Sequence, residues 1–217
     1  MKMIPEASIR PIILAAGDSA RMGYPKALLP LGNDTFITHI LKTLRNAGLP
    51  KPVVVLGRAA PRIRPEIADW PADVYINPDP DRGQLSSIQL ALSSLNPEFA
   101  AGMIWPVDLP AVSEDLVRRL VQLFSVSAPQ IAFPMHGGKR GHPAIFHRAL
   151  FREFMDASPE EGPKGILARY RHDSAVLETE ESASVQDIDT PMDYENLTGR
   201  TLDSVLGPGC LAGKRLP

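Results

Sequence analysis

The stretch Ile12-Ile13-Leu14-Ala15-Ala16-Gly17-Asp18-Ser19-Ala20-Arg21-Met22-Gly23-Tyr24-Pro25-Lys26 constrains the fold more than any other part of the chain. An apolar run that stops at a glycine reads as a buried strand, and the small residues and cations after it read as a loop at its carboxyl end. Gly17 and Gly23 let main-chain N–H groups approach a ligand closely, and Arg21 and Lys26 supply positive charge, so the loop suits a polyphosphate. Two well-known phosphate loops are excluded by spacing. A Walker A loop has four residues between its glycines and then Lys-Ser/Thr, whereas here five separate Gly17 from Gly23 and Tyr24 follows. The dinucleotide pattern G-x-G-x-x-G is absent, because no glycine lies two residues from Gly17. A strand, a glycine and scattered cations also occur in α/β proteins without a phosphate site, so the loop alone leaves both readings open.

Beyond the loop, apolar residues at Phe36, Ile37, Ile40, Leu41 and Leu44 predict a helix from Thr35 to Ala47, capped by Asp34 and stopped by Gly48-Leu49-Pro50. Strands are expected at 52–57, 73–77 and 101–108, with helices between Pro61 and Trp70, from Gly83 through Leu92, and from Ser113 to Phe124. Such alternation argues for a parallel sheet with right-handed crossovers. From Gln130 the pattern changes to two extended pieces, 131–135 and 142–146, around a glycine-rich turn, an insertion suited to one wall of a substrate pocket. Short helices at 148–155 and 164–170, a strand at 174–178 and a helical turn at 191–197 complete a single domain over 1–197. The tail, 198–217, lacks periodicity and is expected to be loosely held or packed against a partner.

With 217 residues, 44% of them hydrophobic, the chain can bury one sizeable core. Its net charge of −2 gives no global attraction to nucleic acid or acidic membranes, so an anion must be met by a local cluster. The single cysteine, Cys210, excludes an intramolecular disulfide. No basic segment precedes an apolar core at the start of the chain, and no run approaches the roughly 18 apolar residues of a membrane span. A cytoplasmic protein is expected.

Asp108 ends a strand as Gly17 does, and ligands of open α/β sheets lie beyond such ends, so it suits a Mg²⁺ ion arriving with a nucleotide; aspartate also starts turns well, here before Leu109-Pro110. A second carboxylate is expected from Asp187 or Asp189, which share a side if the segment is extended. Asp189 or Thr190 before Pro191, with Asp193 following, also makes a good helix start. A calcium loop beginning at Asn77 fails at both decisive positions, with Arg82 in place of glycine and Ile88 in place of glutamate. Gln84, Ser86 and Ser87 can donate and accept hydrogen bonds to a base edge, although either serine could instead cap a helix. No zinc spacing, Ser-His-Asp order or reactive thiol stands out.

Five ordered segments carry a family resemblance: L-A-A-G-x-S-x-R-M-G-x-P-K-x-L-L-P from Leu14 to Pro30, N-P-x-x-x-x-G-Q-x-S-S-I from Asn77, P-V-D-x-P-x-V from Pro106, G-H-P at 141–143 and D-x-D-T-P-x-D-Y from Asp187. Together they resemble the nucleotidyltransferases related to molybdenum cofactor cytidylyltransferase, the MobA/MocA-like NTP transferases. The resemblance implies a three-layer, Rossmann-like, mostly parallel sheet of the nucleotide-diphospho-sugar transferase type, with a small β insertion on the acceptor side. It implies that Leu14, Ala15, Ala16 and Gly17 wrap a triphosphate whose departing pyrophosphate is neutralised by Arg21 and Lys26. Gly83, Gln84, Ser86 and Ser87 would read base and ribose, Asp108 and Asp189 would hold Mg²⁺, and His142 would touch the acceptor. Ala16 in place of a second glycine, and Pro25 in place of an acidic residue, resemble the cytidylyl branch, implying CTP and a molybdopterin acceptor, with a molybdoenzyme or its chaperone as partner. Guanylyl transfer, transfer to a sugar or alcohol phosphate, and a non-catalytic nucleotide-binding delivery module are the alternatives.

Overall fold

The computed structural model describes residues 3–207; Cys210 and the last part of the expected tail lie outside them. The strands are β1 (Ile9–Ala15), β2 (Pro30–Leu31), β3 (Asp34–Thr35), β4 (Val53–Leu56), β5 (Asp73–Ile76), β6 (Ala101–Pro106), β7 (Ile131–His136), β8 (Lys139–Arg140), β9 (Ala144–His147) and β10 (Ser174–Glu178). The α-helices are α1 (Phe36–Asn46), α2 (Ala60–Ile63), α3 (Gln84–Ser93), α4 (Glu114–Ser127), α5 (Phe151–Asp156), α6 (Gly162–Arg169), α7 (Pro191–Thr198) and α8 (Leu202–Leu206).

The main sheet runs β10-β7-β9-β6-β1-β4-β5, with β8 paired to β7. Strand β1 pairs in parallel with β4 and β6, β4 with β5, and β7 with β10. The two extended pieces of the 131–146 region join this sheet: β9 runs antiparallel to both β6 and β7, and only the short β8 lies off the main path. The chain leaves β1 toward β4 and β5, then returns to place β6 on the other side of β1. At that reversal the carboxyl ends of β1 and β6 open a crevice, the usual ligand position in such sheets.

Side chains alternate across β1, so Ile9 and Ile13 face one layer and Ile12 and Leu14 the other. The first layer joins Val54, Met103 and Trp105 to the apolar faces of α1 and α4, while the second packs Val53, Val55 and Ile104 against α3, α5 and α6. Every residue of β1 is buried, which explains why all but Arg10 are apolar. The cap of α1 is Thr35 rather than the expected Asp34: Thr35 and Thr38 form a reciprocal capping box, while the Asp34 carboxylate pairs with Lys42. Ser113 caps α4 as expected. The helix foreseen between Pro61 and Trp70 is broken into α2 and a 3-10 turn over Arg64–Ile67, with Pro65 lacking the N–H that would continue it. The expected tail begins with structure: Thr201 caps α8, whose Leu202 is buried in the first core layer. No helix among the described residues is long and apolar enough to cross a membrane.

One charged pair is built into the start of the sheet. Buried Arg10 on β1 donates to Asp73 on β5, stacks its guanidinium 4.9 Å from the Phe99 ring centroid, and shares Asp73 with Lys51 at 2.7 Å. The hydrogen bond and charge of Lys51, with Arg10 beside it, hold the Asp73 carboxyl below its ordinary range despite partial burial. A depressed folded-state pKa contributes stability that is complete above the unfolded value of about 3.9 and fades as pH falls through the folded value. Asp73→Asn is therefore expected to lower the urea midpoint at neutral pH, with the gap to wild type closing below about pH 4; a gap independent of pH would exclude the ionic contribution.

Candidate active site

A cavity of about 350 Å³ opens at the carboxyl ends of β1 and β6. Its walls come from the end of β1 and the loop after it (Leu14 to Arg21, then Lys26), the start of α3 (Gly83, Gln84, Ser87), the turn after β6 (Asp108), and Asp189 before α7. Of the residues expected at the site, Ser86 and His142 do not line it.

The loop is shaped by its own short polar residues. Ser19 adopts a left-handed φ of 55°, and its carbonyl accepts from the N–H groups of Met22 and Gly23, both at 3.0 Å. Its hydroxyl accepts from the Lys26 N–H at 3.1 Å, drawing the 3-10 turn that carries Lys26 back over the loop. Ser19 was legible only as a filled position of the motif, since nothing in the spacing announces its conformation. Gly57, at the end of β4, has a separate role. A Cβ there would lie 2.2 Å from the Ala16 carbonyl oxygen, so two backbones meet side by side behind the cavity.

On the α3 side, buried Asn77 is the organiser. Its amide donates to the Ser86 hydroxyl at 2.8 Å and the Ser87 hydroxyl at 3.0 Å, while its carbonyl accepts from the Asp79 N–H at 3.0 Å. Neither serine caps α3, because the N-cap is Gly83, whose φ of 82° turns the chain into the helix without a side-chain bond. Ser86 is occupied instead by donating to the Gly83 carbonyl at 2.8 Å, which leaves Ser87 on the cavity wall.

The carboxylates are held by the main chain. The Ile188 N–H donates to the Asp108 carbonyl at 2.8 Å, seating the 187–189 segment beside the end of β6. Thr190 and Asp193 form the capping box of α7, so Thr190, not Asp189, takes the capping role and the Asp189 carboxylate faces the cavity. Buried Tyr194 anchors that helix by donating to the Pro30 carbonyl at 2.9 Å.

These segments bring four charged groups together. The Lys26 ammonium donates to Asp189 and lies 3.4 Å from Asp108 Oδ2, and Arg21 pairs with the other Asp189 oxygen at 2.8 Å. The Lys26 side chain is only 12% exposed and that of Arg21 70%, so the lysine is enclosed while the arginine reaches in from the rim. Burial works against the charge on Asp189, yet the bonds from Lys26 and Arg21 hold its carboxyl below the ordinary range. The Asp187 carboxyl shifts the other way, pushed up by partial desolvation and then by the neighbouring charges of Asp108 and Asp189. Of the two alternatives left open by alternation, Asp189 is the one that lines the cavity.

The donor set fits a hard divalent cation. Asp108 Oδ1 is buried without a hydrogen-bond partner, Asp189 faces the same space, and Mg²⁺ takes one or two carboxylates with its other positions filled by phosphates and water. No group of three or more His, Cys, Asp or Glu side chains among the described residues forms a metal-binding set, so a cation here would need further ligands from its cargo or solvent. His142 lies behind this centre. Its Nδ1 is buried without a partner, and burial keeps the imidazole below its ordinary range. The Gly141-His142 turn is tied down by the His142 N–H donating to the Ser184 carbonyl at 2.8 Å.

Comparison with known proteins finds relatives along most of the chain. The chain is 28% identical to the molybdenum cofactor cytidylyltransferase of Escherichia coli over 84% of its length and 92% of that protein. It is 36% identical to a probable molybdenum cofactor guanylyltransferase of Rhodopirellula baltica over 55% of its length, a match that spans a little over half, 57%, of that relative. The crystal structure of Rv0371c from Mycobacterium tuberculosis H37Rv superposes with a TM-score of 0.80 at 29% identity, covering 91% of this chain and all of that one, and the same protein is known in complex with manganese. The model of the MobA-like NTP transferase domain matches residues 11–175, most of the chain and every cavity-lining residue but Asp189, and the chain belongs to that family.

Proposed function

We propose that this chain transfers a nucleotidyl group from a nucleoside triphosphate, CTP foremost, to a phosphate of a molybdopterin-type acceptor with release of pyrophosphate. The observation that carries the reading is the convergence of Arg21, Lys26, Asp108 and Asp189 on one cavity at the sheet reversal. An acceptor phosphate oxygen forms a bond to the α-phosphorus, the bond from that phosphorus to the bridging oxygen breaks, and pyrophosphate leaves with the electron pair. Such chemistry needs positioning and charge neutralisation rather than a covalent nucleophile. Lys26 and Arg21 neutralise the departing pyrophosphate, the loop from Leu14 to Gly17 holds the triphosphate, and Gly83, Gln84 and Ser87 orient base and ribose. Asp108 and Asp189 would hold Mg²⁺, which when bound supplies further neutralisation of phosphate charge. His142 belongs to the acceptor side in this reading, with a molybdoenzyme or its chaperone as the recipient of the product.

The test is pyrophosphate release with Mg²⁺ and molybdopterin, comparing CTP, GTP, ATP and UTP. A CTP-selective, acceptor-dependent signal is expected. Guanylyl transfer is the second reading, favoured by the 36% identity to the Rhodopirellula baltica protein, and a GTP preference would establish it in place of the first. The role of Asn77 gives a separate expectation. Asn77→Ala leaves the buried Ser87 hydroxyl without its donor, which should lower stability by about 1–3 kcal/mol and, by releasing Ser87 on the cavity wall, raise KM for the nucleotide with kcat changed less. An unchanged KM would remove Asn77 from the binding wall.

A further inference from the structure

Resting on that reading, we propose that Lys26 is the placeholder for the metal: its ammonium occupies the space between Asp108 and Asp189, and the cation enters only when the triphosphate draws the lysine away. Lys26 donates to Asp189 and lies 3.4 Å from Asp108 Oδ2, so one ammonium neutralises the two carboxylates expected to bind the cation. Arg21 takes the remaining oxygen of Asp189 at 2.8 Å. Each cation assigned to the nucleotide is thus paired with a carboxylate assigned to the metal. The one atom left over is Asp108 Oδ1, buried and without a partner, which marks the set as incomplete while the lysine fills it.

Charge counting turns this geometry into a rule for binding. Within the paired cluster two cations against two carboxylates sum to zero, with the Asp18 carboxylate also on the cavity wall, so a divalent ion alone must still approach an enclosed ammonium. A triphosphate alone meets the same zero sum and must separate Lys26 and Arg21 from their carboxylates. When both arrive, the phosphates take the cations and the metal takes the carboxylates, and every separated pair is replaced by another. Metal and nucleotide therefore bind with positive coupling, each raising the affinity for the other by the same factor. The enclosure of the lysine strengthens this exchange, because charge interactions are screened less in a partly buried pocket than at the rim.

The placeholder predicts opposite changes from one substitution. Lys26→Met keeps the stem and removes the charge, so it should bind Mn²⁺ alone at least tenfold more tightly than wild type while binding a non-hydrolysable CTP analogue more weakly. Free Mn²⁺ is read by its paramagnetic resonance signal during titration of each protein, with and without the analogue, and Lys26→Gln serves if the methionine variant does not fold. Wild type should show Mn²⁺ affinity that rises with the analogue, and Asp108→Asn placed on Lys26→Met should abolish the gain in Mn²⁺ binding. Equal Mn²⁺ affinity in wild type and the neutral variant, or no binding to either, would overturn the placeholder. The Mn²⁺-only arm contains no nucleotide, so it decides this inference even if the analogue binds no form of the protein, an outcome that would instead end the nucleotidyl-transfer reading.

Discussion

Lys26→Ala is expected to lower nucleotidyl transfer by about 10²- to 10³-fold at saturating metal and nucleotide, the range found when one preorganised charge-stabilising group is removed. The fold should be unaffected, because the turn is held by main-chain bonds: the Lys26 N–H still donates to Ser19 Oγ and the Leu29 N–H to the Lys26 carbonyl. What changes is the charge between Asp108 and Asp189, which are left facing each other without the enclosed ammonium. Turnover by pyrophosphate release, beside a thermal melt, separates the two effects. Near wild-type turnover with an unaltered melt would show that Lys26 is not part of the chemistry.

Gly57→Ala should have the second large effect, although Gly57 touches no proposed substrate. The added methyl carbon would lie 2.2 Å from the Ala16 carbonyl oxygen, 2.9 Å from its carbon and 3.0 Å from Ala16 Cα, all of them backbone atoms. Main chain cannot swing aside as a flexible side chain does, so β4 and the loop after β1 must move apart. Overpacking of this kind costs about 1–3 kcal/mol, and displacement of the cavity wall by about 1 Å is enough to lower turnover about 10²-fold. Gly17→Ala is the comparison, since a Cβ at Gly17 meets no protein atom within 4 Å and should leave stability unchanged. A melt for Gly57→Ala equal to that of Gly17→Ala would refute the close-approach argument.

The contrast between these glycines explains what the sequence revealed. Gly17 is announced by its place after an apolar run and before two cations, all local facts. The need for glycine at position 57 depends on Ala16, distant in the chain and adjacent only once β1 and β4 pair in register. The same division holds elsewhere. Helices α1 and α4 were legible because burial on one face writes a period into the chain, and β1, β4 and β6 because burial on both faces leaves a short apolar run. The place of β9 between β6 and β7 was not, because an extended piece carries no mark of its partner, and the region reads equally well as a separate insertion. Helix α8 is too short for a period, and only the burial of Leu202 reveals what it packs against. Asp108 and Asp189 were found through strand ends and motif, whereas their pairing with Lys26 and Arg21 is a matter of side-chain reach across the finished cavity.

The capping box of α7 and the anchor of Tyr194 on Pro30 have a consequence for how the protein comes into being. During synthesis the loop bearing Arg21 and Lys26 emerges well before Asp189, which follows Lys26 by 163 residues. Until Tyr194 docks, the two cations lie at the rim of an unfinished cleft and the helix that delivers Asp189 has nothing to rest upon. The centre is therefore a property of the completed polypeptide: a nascent chain or proteolytic fragment ending before α7 can form β1 and its loop, yet holds only one of the two carboxylates.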